Sequence, residues 1–357
     1  MWPLNQALKY FGILLGHKIK TPLTGPIHGS IFVTYACDLD CVFCDYPQKH
    51  LLRKQMGNEE LTTQEMKNVI SDFHRINTTV IAFTGGEPIL RKDILELIEF
   101  TSKKGMLTHL SSNGLAFRSY EQTKKVFEAG LDATSISIDS PIETIHDTLR
   151  GKQGSFNQVI NAIKNVQAYK KNTNSKISLT TTTVINEENI DCIDELIDLL
   201  RNLGVDQIGF VPDHDLTHNY TPENRKKYLT KRNKRVLDAI DRLIERAQTD
   251  PIIENTIGYL RLIKSHYNGM KLPIPCYAGY STLAVDSWGE IFPCFTFSYM
   301  EKSYGNIRST SLYNFWKKSN GSAKMRSDAS SCRDCYWNHQ TEINLLFEKL
   351  TLGQQKK

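Results

Sequence analysis

Short apolar runs rich in β-branched residues alternate with amphipathic stretches from residue 29 to about residue 211. Runs at 31–34, 80–83, 107–110, 133–138, 177–184 and 207–211 read as strands. The run at 80–83, Val-Ile-Ala-Phe, has the continuous apolar character of a buried strand. Helical periodicity fills the intervals at 62–75, 93–103, 120–128, 156–169 and 189–202. Thr62-x-x-Glu65 is a capping box opening the first of these helices. Gly105, Gly130 and Gly204 stop three of them. Val159, Ile160, Ile163 and Val166 share one face of the helix at 156–169. This α/β alternation predicts a parallel sheet, open or closed into a barrel. In parallel barrels functional groups gather at the C-terminal ends of the strands, so the residues after each strand carry the interest.

The flanks have a different texture. Residues 4–17 predict a helix with Leu4, Leu8, Phe11 and Leu15 at helical spacing, within an N-terminal extension of residues 1–28. Packing on the main domain is the expected role of that helix. Contact with a membrane surface, helped by Trp2, Lys9, His17, Lys18 and Lys20, is the weaker alternative because the apolar face is short. Residues 216–270 read as a polar helical linker whose charge run at 231–235, Lys-Arg-Asn-Lys-Arg, is expected to be a solvated face. From about residue 271 the chain turns to Gly, Pro, Cys and aromatic residues, marking a small α+β domain over 271–345 and a polar tail over 346–357.

Composition narrows the class. The 357 residues carry 44 Lys+Arg against 39 Asp+Glu, a net charge of +5 that is thin for a nucleic-acid binder. No uninterrupted apolar segment is long enough to span a membrane, and the N-terminus lacks the order of a signal peptide, so a cytoplasmic protein is expected. In a reducing compartment, grouped cysteines point to metal or catalysis rather than disulfides. There are eight.

Three of them follow the first strand as Cys37-x3-Cys41-x2-Cys44. Three thiolates within eight residues can converge on one metal centre and leave an iron of an iron–sulfur cluster with an open position. The alternatives are a zinc site completed by a distant ligand, or unrelated buried cysteines. The spacing, with the aromatic Phe43 before the last cysteine, resembles the signature of the radical S-adenosylmethionine (SAM) superfamily. That resemblance implies a partial (β/α)6 barrel of TIM type for residues 29–215. It also implies a [4Fe-4S] cluster that binds SAM and cleaves it reductively to a 5′-deoxyadenosyl radical, which abstracts hydrogen from substrate. A flavodoxin or ferredoxin is the kind of electron donor implied.

Motifs after later strands fit the same resemblance. Gly85-Gly86-Glu87-Pro88 follows the second strand and resembles the family's GGEP motif, whose backbone and acid hold the methionyl amine. Ser111-Ser112-Asn113-Gly114 resembles its Ser/Thr-Asn-Gly turn near SAM. After the fourth strand, Ser137 and Asp139 stand two residues apart and are expected to face one way, toward a ribose. Arg150 offers a guanidinium for the methionyl carboxylate. Each motif alone would also suit an ordinary capped loop. The sixth strand ends in Val211-Pro212-Asp213-His214-Asp215, where Asp213 and His214 are candidate catalytic bases, or simply the start of a polar loop.

Four more cysteines, Cys276, Cys294, Cys332 and Cys335, stand in two groups near the C-terminus. Their spacing suits zinc or a second iron–sulfur cluster. The segment 276–294 resembles the opening of the auxiliary-cluster domains called SPASM and twitch, which implies one auxiliary [4Fe-4S] cluster with complete ligation. Its four-cysteine pattern looks closer to the twitch dehydrogenase of aminocyclitol antibiotic biosynthesis than to the molybdenum-cofactor enzyme. Cys192 is left as a core residue.

Three functions follow as expectations. The first is oxidation of a small molecule, such as a sugar, cyclitol or nucleoside derivative, with the auxiliary cluster accepting an electron. The second is modification of a peptide, for which the 30 residues before the first strand are short beside the leader-binding domains of such enzymes. The third is a zinc-stabilised binding protein without catalysis.

Overall fold

A computed structural model describes residues 4–214, 234–333 and 335–355. Trp2, Asp215, the linker at 216–233 with the start of the charge run, and the last two residues lie outside the described residues.

The strands are β1 (His28–Thr34), β2 (Val80–Gly85), β3 (Leu107–Ser112), β4 (Ala133–Ser137), β5 (Ser178–Ile185), β6 (Gln207–Pro212), β7 (Thr282–Val285) and β8 (Ile291–Phe292). They form one sheet in the order β6-β5-β4-β3-β2-β1-β7-β8. The first six are consecutive parallel neighbours, so this is the partial barrel that the alternation predicted. The C-terminal region joins the same sheet. β7 pairs in parallel with β1 from His28↔Thr282 to Ile31↔Val285, and β8 returns antiparallel to it. No helix among the described residues is long and apolar enough to cross a membrane.

Alternation along each strand decides where the chemistry can sit. One face carries Ile31, Val33, Ile81, Phe83, Leu110, Ile136 and Leu179, all buried in the main core against the surrounding helices. The opposite face carries His28, Ser30, Thr84, His109, Ser111, Ser135, Thr180 and Thr182, which line the barrel interior. A closed parallel barrel usually fills its lumen with branched aliphatic side chains. These small, polar side chains do not fill the lumen, and a cavity of about 870 Å³ remains.

Two helices of the barrel region were not foreseen, and a third, Asn338–Gln355, runs through the expected polar tail and buries Phe347. Tyr46–Gln55 starts directly after the cysteine loop with Pro47 in its first turn, where proline costs nothing. Its composition is polar and Leu51 and Leu52 stay exposed, so it shows little apolar stripe. Glu143–Arg150 is a two-turn helix closed by Gly151 at φ +66°. The N-terminal helix Leu4–Lys18 is present, but the packing face differs from the expected one. Tyr10, Ile13 and Leu14 pack with Tyr277, Tyr280 and Phe347, whereas Leu8, Phe11 and Leu15 face outward. Both stripes have helical spacing. The aromatic surface of the C-terminal region selects the first.

Candidate active site

Three loops grip the segment that carries Cys37, Cys41 and Cys44. From β2, the Gly86 amide donates to the Thr34 carbonyl at 2.8 Å and the Glu87 amide to the Ala36 carbonyl at 2.8 Å. Gly85 lies at φ +124°, where a Cβ would stand 2.1 Å from the Thr34 carbonyl oxygen, and a Cβ on Gly86 would stand 2.1 Å from that of Ala36. Only glycine allows this approach. From β3, the Asn113 side-chain amide donates to Asp38 at 2.7 Å and lies 3.8 Å from the Cys37 sulfur. From the far side, the Asp40 and Val42 amides bond the Arg150 and Leu149 carbonyls, and Lys152 pairs with Asp38 at 2.7 Å. Gly86→Ala should therefore push the cysteine loop off its register. Overpacking of this kind costs about 1–3 kcal/mol. Denaturant unfolding together with the iron content after reconstitution would show the loss.

Several side chains sit differently from expectation. Glu87 is fully buried and does not border the cavity. Its carboxylate accepts from the Ser112 hydroxyl at 3.1 Å, the Asn113 amide at 2.8 Å and the Ile89 amide at 3.3 Å. Burial raises its pKa to about 7 against those donors. Glu87 thus ties the β2 and β3 loops together, and its carboxylate does not line the cavity. Glu87→Ala should orphan three buried donors. Each costs about 1–3 kcal/mol, so a large drop in chemical stability is expected, and an unfolding midpoint equal to that of the parent chain would refute the role. Pro88 is buried beneath it in a single 3-10 turn, away from the cavity.

The pairing of Ser137 with Asp139 also fails. β4 ends at Ser137, so the two-residue alternation lapses there. Ser137 borders the cavity, but Asp139 is fully buried and does not. The Asp139 carboxylate accepts from the Val184 amide at 3.0 Å and forms an ion pair with Arg150 Nε at 2.7 Å. Arg150 is therefore already paired. It still borders the cavity, with Nη1 4.0 Å from the Cys41 sulfur and its guanidinium 5.3 Å from the centre of the Phe43 ring.

Asp213 and His214 do reach the cavity wall, at the end of β6. His214 stacks on Trp337 at 5.4 Å and lies 4.8 Å from His266. Burial, with His266 adding to it, lowers the His214 pKa to about 3. That ring is neutral near pH 7 and a weak proton acceptor, which leaves Asp213 as the better of the two candidates.

Cys37, Cys41 and Cys44 all border the cavity. Burial drives each thiol pKa up, that of Cys37 to about 12. Cys37 and Cys44 are raised further by neighbouring thiols of the loop. Cys276, Cys294, Cys332 and Cys335 come together from separate segments, and burial pushes Cys276 to about 12 and Cys335 to about 11. Cys294 borders the cavity with Phe295, Thr296, Tyr299 and Trp337. Buried thiols that oppose one another's ionisation would be held as thiolates by a bound cation. Among the described residues, no group of three His, Cys, Asp or Glu is placed to hold a single metal ion. Both donor sets are thiols, the usual protein ligands of iron–sulfur clusters. Cys192 is buried beside Ser140, as expected of a core residue.

Sequence reading missed the histidines of the lumen. His28 and His339 lie with ring centroids 3.9 Å apart, and His109 borders the same space. The signal was present in the alternation His28-x-Ser30 and Leu107-x-His109-x-Ser111. It went unread because strands were sought by their apolar positions.

Comparison with known proteins agrees with this geometry. The radical SAM superfamily profile matches residues 31–200, and that of SPASM, described as an iron–sulfur cluster-binding domain, matches 276–336. An AdoMet-dependent heme synthase from Oleidesulfovibrio alaskensis is 26% identical over 312 residues, covering 80% of this chain and 73% of that protein. An Fe-coproporphyrin III synthase from Methanosarcina barkeri is 35% identical over 178 residues, covering 50% of this chain and 42% of that one. In fold, Streptococcus suis SuiB bound to S-adenosylmethionine superposes with a TM-score of 0.65 at 18% identity, covering 97% of this chain and 79% of SuiB. The enzyme anSMEcpe with bound AdoMet and a peptide gives 0.63 at 15% identity, covering 93% of this chain and all of the other. The cofactors are SAM and iron–sulfur clusters, and the zinc-stabilised binding protein is set aside. Residues 31–200 thus carry a radical SAM domain and residues 276–336 a SPASM iron–sulfur cluster-binding domain, and the chain is an enzyme of the radical SAM kind.

Proposed function

We propose that this enzyme uses SAM to abstract hydrogen from a small organic molecule held in the barrel lumen, and that a second electron leaves toward the C-terminal cysteine set. One observation carries the reading: the cysteine loop and Cys294 border the same cavity. Cys37, Cys41 and Cys44 would hold the cluster, whose chemistry would be to supply the electron that cleaves the sulfonium. Gly85, Gly86, Ser112 and Asn113 form the adjoining wall that would hold the methionyl part, with Arg150 beside Cys41, and Ser137, also on the cavity wall, would serve the ribose. Asp213 takes the proton released when the substrate radical is oxidised.

The lumen supports a small substrate over a peptide. The lumen is enclosed by the barrel strands, and its hydroxyls and imidazoles, set among apolar groups, offer hydrogen bonds to a small ligand. Tetrapyrroles, the class that the names of the two relatives state, join sugars, cyclitols and nucleosides among the candidates. The peptide reading remains the second, because SuiB with its precursor peptide and anSMEcpe with a peptide share the fold. Anaerobic incubation with deuterated candidates separates the two. Deuterium appearing in 5′-deoxyadenosine from a small molecule is the expected result. Transfer from a peptide encoded beside the gene, and from none of the small molecules, would overturn it.

A further inference from the structure

Between the two cysteine sets runs a line of aromatic rings that the proposed chemistry does not yet use. Tyr46 lies two residues after Cys44, and Trp337 lies two residues after Cys335. Tyr299 stands between them. The Tyr46 and Tyr299 rings are 4.8 Å apart, centroid to centroid, and within 7° of parallel. The Tyr299 and Trp337 rings are 5.9 Å apart and within 9° of parallel. Three near-parallel rings therefore lead from the neighbourhood of one cysteine loop to that of the other, along the wall of the cavity.

The surroundings hold this line in place. Phe295 meets Trp337 edge-on at 5.0 Å, and Phe32 meets Tyr46 edge-on at 6.1 Å. Tyr46 and Tyr299 are almost completely buried. A packed, water-poor stack changes little when charge passes along it. Packing alone would need only apolar bulk at these positions, not three rings in near-parallel succession.

We propose that Tyr46, Tyr299 and Trp337 are positioning residues of an electron relay between the two cysteine centres. The inference rests on the reading above, that both cysteine sets hold clusters. One electron passes at a time: the centre that gives it is oxidised, the centre that accepts it is reduced, and no bond or proton changes hands. Because the substrate loses one electron as a hydrogen atom and a second toward the C-terminal set, the relay can return that second electron to the SAM-cleaving end. The sum is SAM plus reduced substrate giving methionine, 5′-deoxyadenosine, oxidised substrate and a proton. An external donor is then needed only for priming.

The test compares Tyr299→Leu and Tyr299→Phe in protein carrying both clusters, as shown by iron content. Potentials come from a titration followed by electron paramagnetic resonance. The rate at which a limiting dose of reductant equilibrates between the two clusters comes from rapid freeze-quenching. Added SAM marks the signal of the SAM-binding cluster. Leucine should slow equilibration severalfold at unchanged potentials, and phenylalanine, which keeps the ring, should not. Trp337→Leu repeats the test from the other end of the stack. A parental rate in both leucine variants, or equal slowing by phenylalanine, overturns the relay. Failure to load two clusters contradicts the underlying reading instead, and appears in the iron content before any rate is measured.

Discussion

Cys41→Ala is expected to abolish formation of 5′-deoxyadenosine from SAM while leaving the C-terminal iron in place. Cys41 is the middle thiol of its loop, is buried, and lies 4.0 Å from Arg150 Nη1. Its neighbours cannot replace it. Asp38 is held by Asn113 and Lys152, and Asp40 by Gln48. With two thiols left, the loop cannot hold three irons and keep a fourth open. Iron should fall from about eight per chain to about four if both sites fill as [4Fe-4S]. SAM cleavage at the parental rate would remove Cys41 from the site. The loop itself should survive the substitution, because Gly86, Glu87, Asn113 and Leu149 grip it through other atoms.

The second large effect is a separation of two activities. Cys294→Ala should leave SAM cleavage running while product formation stops. Cys294 precedes the helix Phe295–Tyr299 and brings the C-terminal set to the cavity wall. Losing its thiolate opens the ligation of the second cluster without touching the first loop. The 5′-deoxyadenosyl radical still forms and still takes hydrogen, but the substrate radical has no oxidant beside it. An excess of 5′-deoxyadenosine over product, measured by chromatography, is the expected signature. Full turnover by this variant would deny the C-terminal cluster any part in the oxidation.

The positions behind these two predictions were legible in the sequence, because cysteine spacing is local and metal ligation needs few other residues. The barrel was legible for a related reason. Signals such as the capping box at Thr62 and Glu65 act within one turn, and the structure contains that box. What escaped reading depends on distant partners. Glu87 faces Ser112 and Asn113, at the end of a different strand. Asp139 is claimed by Arg150 and by the backbone of β5, and no local pattern announces either. The N-terminal helix offered two apolar stripes, and only the aromatic surface of Tyr277, Tyr280 and Phe347 chose between them. The lumen escaped because its message lies in the polar half of each strand's alternation, which an apolar search passes over.

The central claim is that seven cysteines divide into a SAM-binding set of three and a closed set of four. Anaerobic reconstitution followed by metal analysis, with 5′-deoxyadenosine assayed on the same sample under reduction, tests it most directly. About eight irons per chain and reductive SAM cleavage are expected if both sites fill. Stoichiometric zinc without iron, and no 5′-deoxyadenosine, would contradict it.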